Sequence, residues 1–159
     1  MNKQLLQFIK NKKSGKALDL GAGGFSDVFG MIKKNWQTFG VDKLMGIDLN
    51  KPYLDWNAPY DLIYSNYVLQ QIKNKKIFVK TIYSNLKPDG IIFIQTFDIT
   101  DPMIKRGRGF TQEELLSLFS PYFKDIKIKK FSEIDDDSHN HIILELTAIK
   151  KDSNKVYEK

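Results

Sequence analysis

Asp19, Gly21, Ala22 and Gly23 stand where a short apolar run, residues 16–20, ends in a cluster of glycines. Glycine at 21 and 23 allows a strand to turn sharply into a helix and lets a ligand touch the backbone, since no Cβ intervenes. That device serves many nucleotide-like ligands. The dinucleotide fingerprint wants one more glycine, three residues after the second, and this chain has Ser26 there. Asp19 is the stronger discriminator. A carboxylate just before the turn repels a pyrophosphate and attracts a cation; charges ~4 Å apart interact by ~4 kcal/mol at an effective dielectric of about 20. A phosphate-free cofactor carrying an ammonium and a sulfonium, as S-adenosylmethionine does, has the right sign.

Asp42 ends the next apolar run, with Lys43 beside it. A carboxylate there can accept hydrogen bonds from both ribose hydroxyls, each charge-assisted bond contributing ~1.5–3 kcal/mol. Asp48 is placed to accept from an adenine amino group while Leu49 covers the ring. A competing assignment gives the ribose to Asp48, and both stand. Asn66 offers its backbone near the cofactor, and Tyr67 faces the sulfonium or the acceptor; an aromatic face beside a cation is attractive by ~0.5–2 kcal/mol. Residues 98–109 carry Lys105, Arg106 and Arg108. They read as a lid that recognises an anionic acceptor, against the simpler reading of a solvated loop. His139 and His141 are the two histidines, and either a general base or an ordinary surface hairpin accounts for them.

Composition narrows the classes. No cysteine is present, which removes disulfides, thiol nucleophiles and thiolate metal sites. With two histidines, a zinc site would need mostly carboxylates, so no metal is expected. The net charge is +6 and the pI about 9.3, but the cations are lysines scattered from Lys3 to Lys159. Base readout favours clustered arginine, so a solvated surface is expected rather than a nucleic-acid partner. No apolar run approaches the ~20 residues of a membrane helix, and residues 1–13 lack a signal-peptide core. The cytoplasm is the expected compartment.

These residues need a scaffold. Short β-rich runs alternate with amphipathic stretches, which predicts an α/β fold: a doubly wound sheet of about seven strands with helices on both faces, mostly parallel, the C-terminal strand antiparallel. Strands are expected at 16–20, 37–42, 44–49, 60–65, 91–97, 124–134 and 141–150. Helices are expected at 2–13, from an N-cap at Ser26, at 71–86 and after Thr111, where Thr111 and Glu114 fit a capping box. Residues 87–90 read as a helix-ending turn. A chain of 159 residues suits a single domain over 1–150, with 151–159 as a disordered tail.

The motifs together resemble a known family. Residues 17–24 (Ala-Leu-Asp-Leu-Gly-Ala-Gly-Gly) are similar to the first motif of class I S-adenosylmethionine-dependent methyltransferases. Gly40, Val41 and Asp42 resemble their ribose-binding strand end, residues 48–52 the adenine-side segment, and residues 60–69 the fourth strand with the turn under the methionine moiety. Residues 86–90 (Leu-Lys-Pro-Asp-Gly) resemble the turn before strand five. The later segment, with residues 110–115, Glu133 and His141, is similar to tellurite-resistance and related small-molecule methyltransferases. The resemblance implies S-adenosylmethionine as cofactor and a small-molecule methyl acceptor. In such in-line transfer the cofactor supplies the reactivity, and alignment contributes ~7–11 kcal/mol. A soft nucleophile (sulfur, selenium or tellurium) needs little help from a base.

The chain also departs from the pattern. Lys43 to Gly46 are all that lie between Asp42 and Ile47, where the family has a helix. Phe25 replaces a small residue, and Gln70 and Gln71 replace an acidic-histidine pair. A non-catalytic cofactor-binding or interaction module is the alternative reading, followed by an RNA or protein methyltransferase. Ser65, Asn66, Tyr67 and Val68 lack the two prolines of adenine-methylating enzymes, and Asp19 with Ser26 opposes a nucleotide-dependent reductase.

Overall fold

The computed structural model describes residues 1–105 and 107–153. Six strands, β1 (Lys16–Leu20), β2 (Gln37–Val41), β3 (Tyr60–Asn66), β4 (Leu86–Phe97), β5 (Phe123–Ile134) and β6 (Asn140–Lys150), form one sheet in the order β2-β1-β3-β4-β6-β5. β2, β1, β3 and β4 are mutually parallel. β6 runs antiparallel to both β4 and β5. Side chains alternate across the pleat. Ala17, Leu62, Tyr64 and Phe93 therefore pack on one face with Leu5, Ile9 and Met31, while Leu18, Ile63, Ile92 and Ile94 pack on the other with Phe78, Ile82, Leu115 and Phe119.

The helices supply those partners. α1 (Lys3–Ile9) and α2 (Ser26–Ile32) cover the first face, α3 (Lys75–Asn85) and α4 (Gln112–Phe119) the second. α1 is shorter than its apolar pattern and is capped by Asn2, whose side chain accepts from the Leu5 amide. Thr111 and Glu114 form the expected capping box on α4. At α2 the cap differs: Phe25, with φ 63°, precedes the helix with no side-chain cap, and Ser26 is its first residue. Residues 69–71 form a separate 3-10 turn before α3. Residues 87–90 lie within β4, where the pairing with β3 jumps from Tyr60↔Leu86 to Leu62↔Ile91.

The seventh strand, expected at 44–49, does not form. Lys43–Met45 is a 3-10 turn, capped by the Asp42 side chain and closed by Gly46 at φ 78°. Leu44 and Met45 are 83% and 54% exposed, so this run lacks the buried alternation a strand needs. The loop that follows is held by a polar clasp. Asp55 accepts from the hydroxyls of Tyr53 and Tyr60, its amide donates to Asn85 Oδ1, and Asn85 Nδ2 donates to the carbonyls of Tyr53 and Thr81. Trp56, on this loop, is 99% exposed, whereas Trp36 before β2 is 5% exposed.

At the far end, the Lys151 amide donates to the Tyr122 carbonyl. The remainder of the expected tail, residues 154–159, lies outside the described residues. No helix among the described residues is long and apolar enough to cross a membrane.

Candidate functional site

The carboxyl ends of β1, β2 and β3 meet at a cavity of about 640 Å³, in the place where open α/β sheets hold ligands. Gly21, Gly23, Asp42, Lys43, Asp48, Leu49 and Asn66 line it, with Tyr67 at its rim. Seven of the nine residues read from the sequence as cofactor-binding are thus brought together. Ala22 and Asp19 are not on the wall. The Ala22 amide is bonded instead to the Val41 carbonyl, as is that of Gly21.

The glycine turn and Asp42 are fastened to one another. Asp42 Oδ2 accepts from the Gly23 amide at 3.0 Å, and Oδ1 from the Leu44 amide at 3.1 Å. This holds a nearly buried carboxylate rigidly at the cavity, with lone pairs left for further donors. Asp48, by contrast, is exposed and bonded to its neighbour Asn50. Those bonds hold its carboxyl below the ordinary carboxylate range.

Gly21 and Gly23 have different reasons to be glycine. At Gly21, with φ 86°, a Cβ would stand 2.3 Å from a Val68 methyl; at Gly23, with φ 52°, a Cβ would meet nothing within 4 Å. Gly21 therefore serves packing, and Gly23 leaves the cavity open.

Asp19 lies behind the wall, 3% exposed. Burial, followed by the charges of Asp27 and Asp42, raises its pKa well above the ordinary value. Asp27 accepts from the Asn2 amide and from Asn66 Nδ2. Asn66 Oδ1 is left buried without a hydrogen-bond partner, and the buried Tyr64 hydroxyl lies beside Asp19. Asp42 on the wall, Asp19 and Asp27 behind it and the orphan Asn66 Oδ1 form an acidic cluster with no cation among them. The cationic S-adenosylmethionine fits this set of acceptors. Asp27 was legible only as a first-turn acid of α2, and its contact with Asn66 has no sequence signal.

A second cavity, of about 500 Å³, adjoins at Tyr67 and is lined also by Phe97, Glu133, Asp135, Asp136 and His141. Tyr67, at φ 62°, stacks on Phe97 with centroids 5.1 Å apart and planes 23° from parallel. Burial, then Glu133, Glu145 and Asp27, raises the pKa of its phenol, so Tyr67 is neutral. His141 reaches Asp101 Oδ2 through Nδ1 at 3.1 Å and Asp135 Oδ2 through Nε2 at 2.9 Å. Burial alone would lower its pKa, but Asp135 and Asp101 outweigh that and raise it. With both ring nitrogens on carboxylates, His141 braces the wall of this cavity.

The expected lid spans residues 98–109. Asp98 and Asp101 are buried, and Asp98 accepts from the Thr100 amide. Arg108 is exposed and lines neither cavity, while Arg106 lies outside the described residues. Asp135, Asp137 and His139 come close enough to hold an ion, but all sit on an exposed turn where solvation accounts for them.

No curated protein matches the sequence. Among solved structures, a Haemonchus contortus phosphoethanolamine N-methyltransferase 2, solved with phosphomonomethylethanolamine and S-adenosylhomocysteine, is similar with TM-score 0.69 at 15% identity, over 93% of this chain and 51% of that one. A Methanosarcina mazei SAM-dependent methyltransferase matches with TM-score 0.71 at 12% identity, over 94% and 98% of the two chains. TehB from Haemophilus influenzae matches with TM-score 0.64 at 15% identity, over 95% and 63%. The chain thus spans about half the length of the Haemonchus enzyme it matches. At these identities the likeness establishes the fold. The family rests on sequence: the model of the methyltransferase domain matches residues 1–130. The chain belongs to the methyltransferase-domain family, and its fold is that of the S-adenosylmethionine-dependent methyltransferases.

Proposed function

We propose that the chain binds S-adenosylmethionine in the larger cavity and transfers its methyl group to a small-molecule acceptor in the adjoining one. The observation that carries this reading is the shared wall: Tyr67 lines both cavities, so a donor in one and an acceptor in the other meet at a single side chain. Bound adenosylmethionine supplies an electrophilic methyl group on sulfur.

The chain's own residues bind and align. Asp42 accepts from the ribose hydroxyls, with Lys43 beside it. Leu49 covers the adenine and Asp48 stands at its edge. Gly21 and Gly23 set the backbone limit of the cavity, with Ala22 between them bonded back to β2. Asn66 Oδ1 accepts from the methionine ammonium, with Asp27 behind it and Asp19 giving up its proton as the cation binds. Tyr67 separates the cavities and excludes water between donor and acceptor; alignment of this kind contributes ~7–11 kcal/mol to the rate.

The test is thermal melting with S-adenosylhomocysteine and, separately, NAD, followed by transfer of an isotopically labelled methyl group to small molecules, protein and RNA. Stabilisation by S-adenosylhomocysteine with label recovered in small molecules is expected. Stabilisation by NAD alone refutes the cofactor assignment. Binding without transfer to any acceptor class favours the non-catalytic alternative.

A further inference from the structure

We infer that the smaller cavity selects a cationic amine as acceptor, its ammonium held between the Tyr67–Phe97 ring pair and the carboxylates of Glu133 and Asp136. This rests on the methyltransferase reading and narrows it to one chemistry.

The first support is charge. Glu133, Asp135 and Asp136 line the cavity, opposed by Lys3, His141 and the amino group of Met1, which donates to the Ser26 hydroxyl. His141 is taken up by Asp101 and Asp135, and Asp135 also accepts from the amides of Asp137 and His139. Among the described residues, Glu133 and Asp136 appear in no ion pair. Glu133 is engaged by the neutral Tyr67 phenol and by no cation, so both carboxylates can pair with a cationic ligand.

The second support is the aromatic wall. The stacked rings of Tyr67 and Phe97 continue to His141, whose ring centroid lies 5.0 Å from that of Phe97. Ring faces attract a cation by ~0.5–2 kcal/mol and offer nothing comparable to a carboxylate. Tyr67 holds its place at a left-handed backbone angle, a conformation that costs a bulky residue of order 1–3 kcal/mol and persists where its surroundings impose it. The third support is position, since this is the cavity that touches the cofactor cavity through Tyr67. Arg108, one of the cations expected to bind an anionic acceptor, is exposed and lines neither cavity.

The chemistry balances without a redox partner. The bound ammonium gives one proton to water, and its lone pair forms the new N–C bond as the C–S bond breaks with its electrons left on sulfur. The products are a methylated ammonium, S-adenosylhomocysteine and the released proton. Glu133 and Asp136 bind the cation before and after; they are not the proton acceptor.

Calorimetric titration with three probes of one shape tests the inference: 2-phenylethylamine, 2-phenylethanol and 3-phenylpropanoate, each against free and S-adenosylhomocysteine-loaded protein. The amine is expected to bind at least about tenfold more tightly than the alcohol, and the carboxylate weakest of all. Glu133→Gln, and separately Asp136→Asn on the exposed turn, should each weaken the amine by about three- to tenfold and leave the alcohol and S-adenosylhomocysteine unchanged. An amine that binds no more tightly than the alcohol, a preference for the carboxylate, or indifference to both substitutions overturns the inference. Failure of S-adenosylhomocysteine to bind, with the amine still preferred, overturns the methyltransferase reading instead.

Discussion

Gly21 packs against Val68 so closely that a Cβ at position 21 would stand 2.3 Å from a Val68 methyl. The backbone there is also left-handed, at φ 86°. Gly21→Ala is therefore expected to destabilise the fold by about 2–4 kcal/mol, from backbone strain and overpacking together. Adding Val68→Ala should recover about 1–2 kcal/mol of the overpacking component. Urea titration of the two single variants and the double variant measures the coupling; strict additivity would show that the contact is unimportant.

Asp42 and Asp48 make opposite predictions. Asp42 is held at the cavity by the Gly23 and Leu44 amides, whereas Asp48 is exposed. Removing two charge-assisted bonds by Asp42→Ala should weaken S-adenosylhomocysteine by about 10- to 100-fold. Asp48→Ala should change it by less than about threefold. Calorimetry separates the two, and the reverse ranking would hand the ribose to Asp48.

Asp19 trades stability for binding. Burial and the neighbouring charges of Asp27 and Asp42 raise its folded pKa, so the folded state holds a proton that the unfolded chain releases. Its ionisation costs nothing below the ordinary carboxylate range of about pH 4 and increasingly more as pH rises from there through the folded pKa. Asp19→Asn should raise Tm relative to the parent at about pH 8, with the gap closing toward about pH 4, while S-adenosylhomocysteine affinity falls at least about tenfold. A parent melting higher at every pH would contradict this sign.

His141 works in the other direction. Its folded pKa is raised by Asp135 and Asp101 against the effect of burial. The stabilisation it provides is fully present below the ordinary histidine value of about 6.5 and is lost as pH rises through the folded value. His141→Gln should cost more stability near pH ~6 than near pH ~9. Paired urea midpoints at the two pH values give the answer; an equal loss at both would mean that His141 is neutral in the fold.

Asn85 is fully buried and holds the loop that replaces the missing strand, through Asp55 and the carbonyls of Tyr53 and Thr81. Asn85→Ala leaves those groups unpaired and should cost about 2–4 kcal/mol. Limited proteolysis should then cut first within residues 46–59. Cleavage elsewhere, with this loop intact, would show that the clasp is not what holds it.

The strands and helices that build the parallel half of the sheet were legible because each carries its period in local sequence, as β1 and α4 do. The strand expected at 44–49 failed for a reason that apolar content does not reveal: an Asp42 cap and Gly46 at positive φ turn the chain before it can pair. Asp42 and the glycines were readable as neighbours since they sit at the ends of β2 and β1, whereas Asp48 reaches the same cavity from a loop. The Asp27–Asn66 contact, the braced His141 and the acidic cavity join residues far apart in sequence, and composition gives no sign of which of them meet. Arg106 and Arg108 read as an acceptor-binding pair because cations in a glycine-flanked loop suggest it; at Arg108 the loop directs the side chain to solvent.

The two tryptophans lie at opposite extremes of exposure, Trp36 at 5% beside α1 and α2 and Trp56 at 99% on the clasped loop. Their intrinsic emission therefore divides by colour, with Trp36 on the blue side of the band and Trp56 on the red. Quenching by iodide should silence Trp56 first and leave Trp36 as a reporter of global unfolding. Changes confined to the red component would then follow the loop beside the cofactor cavity without any added label.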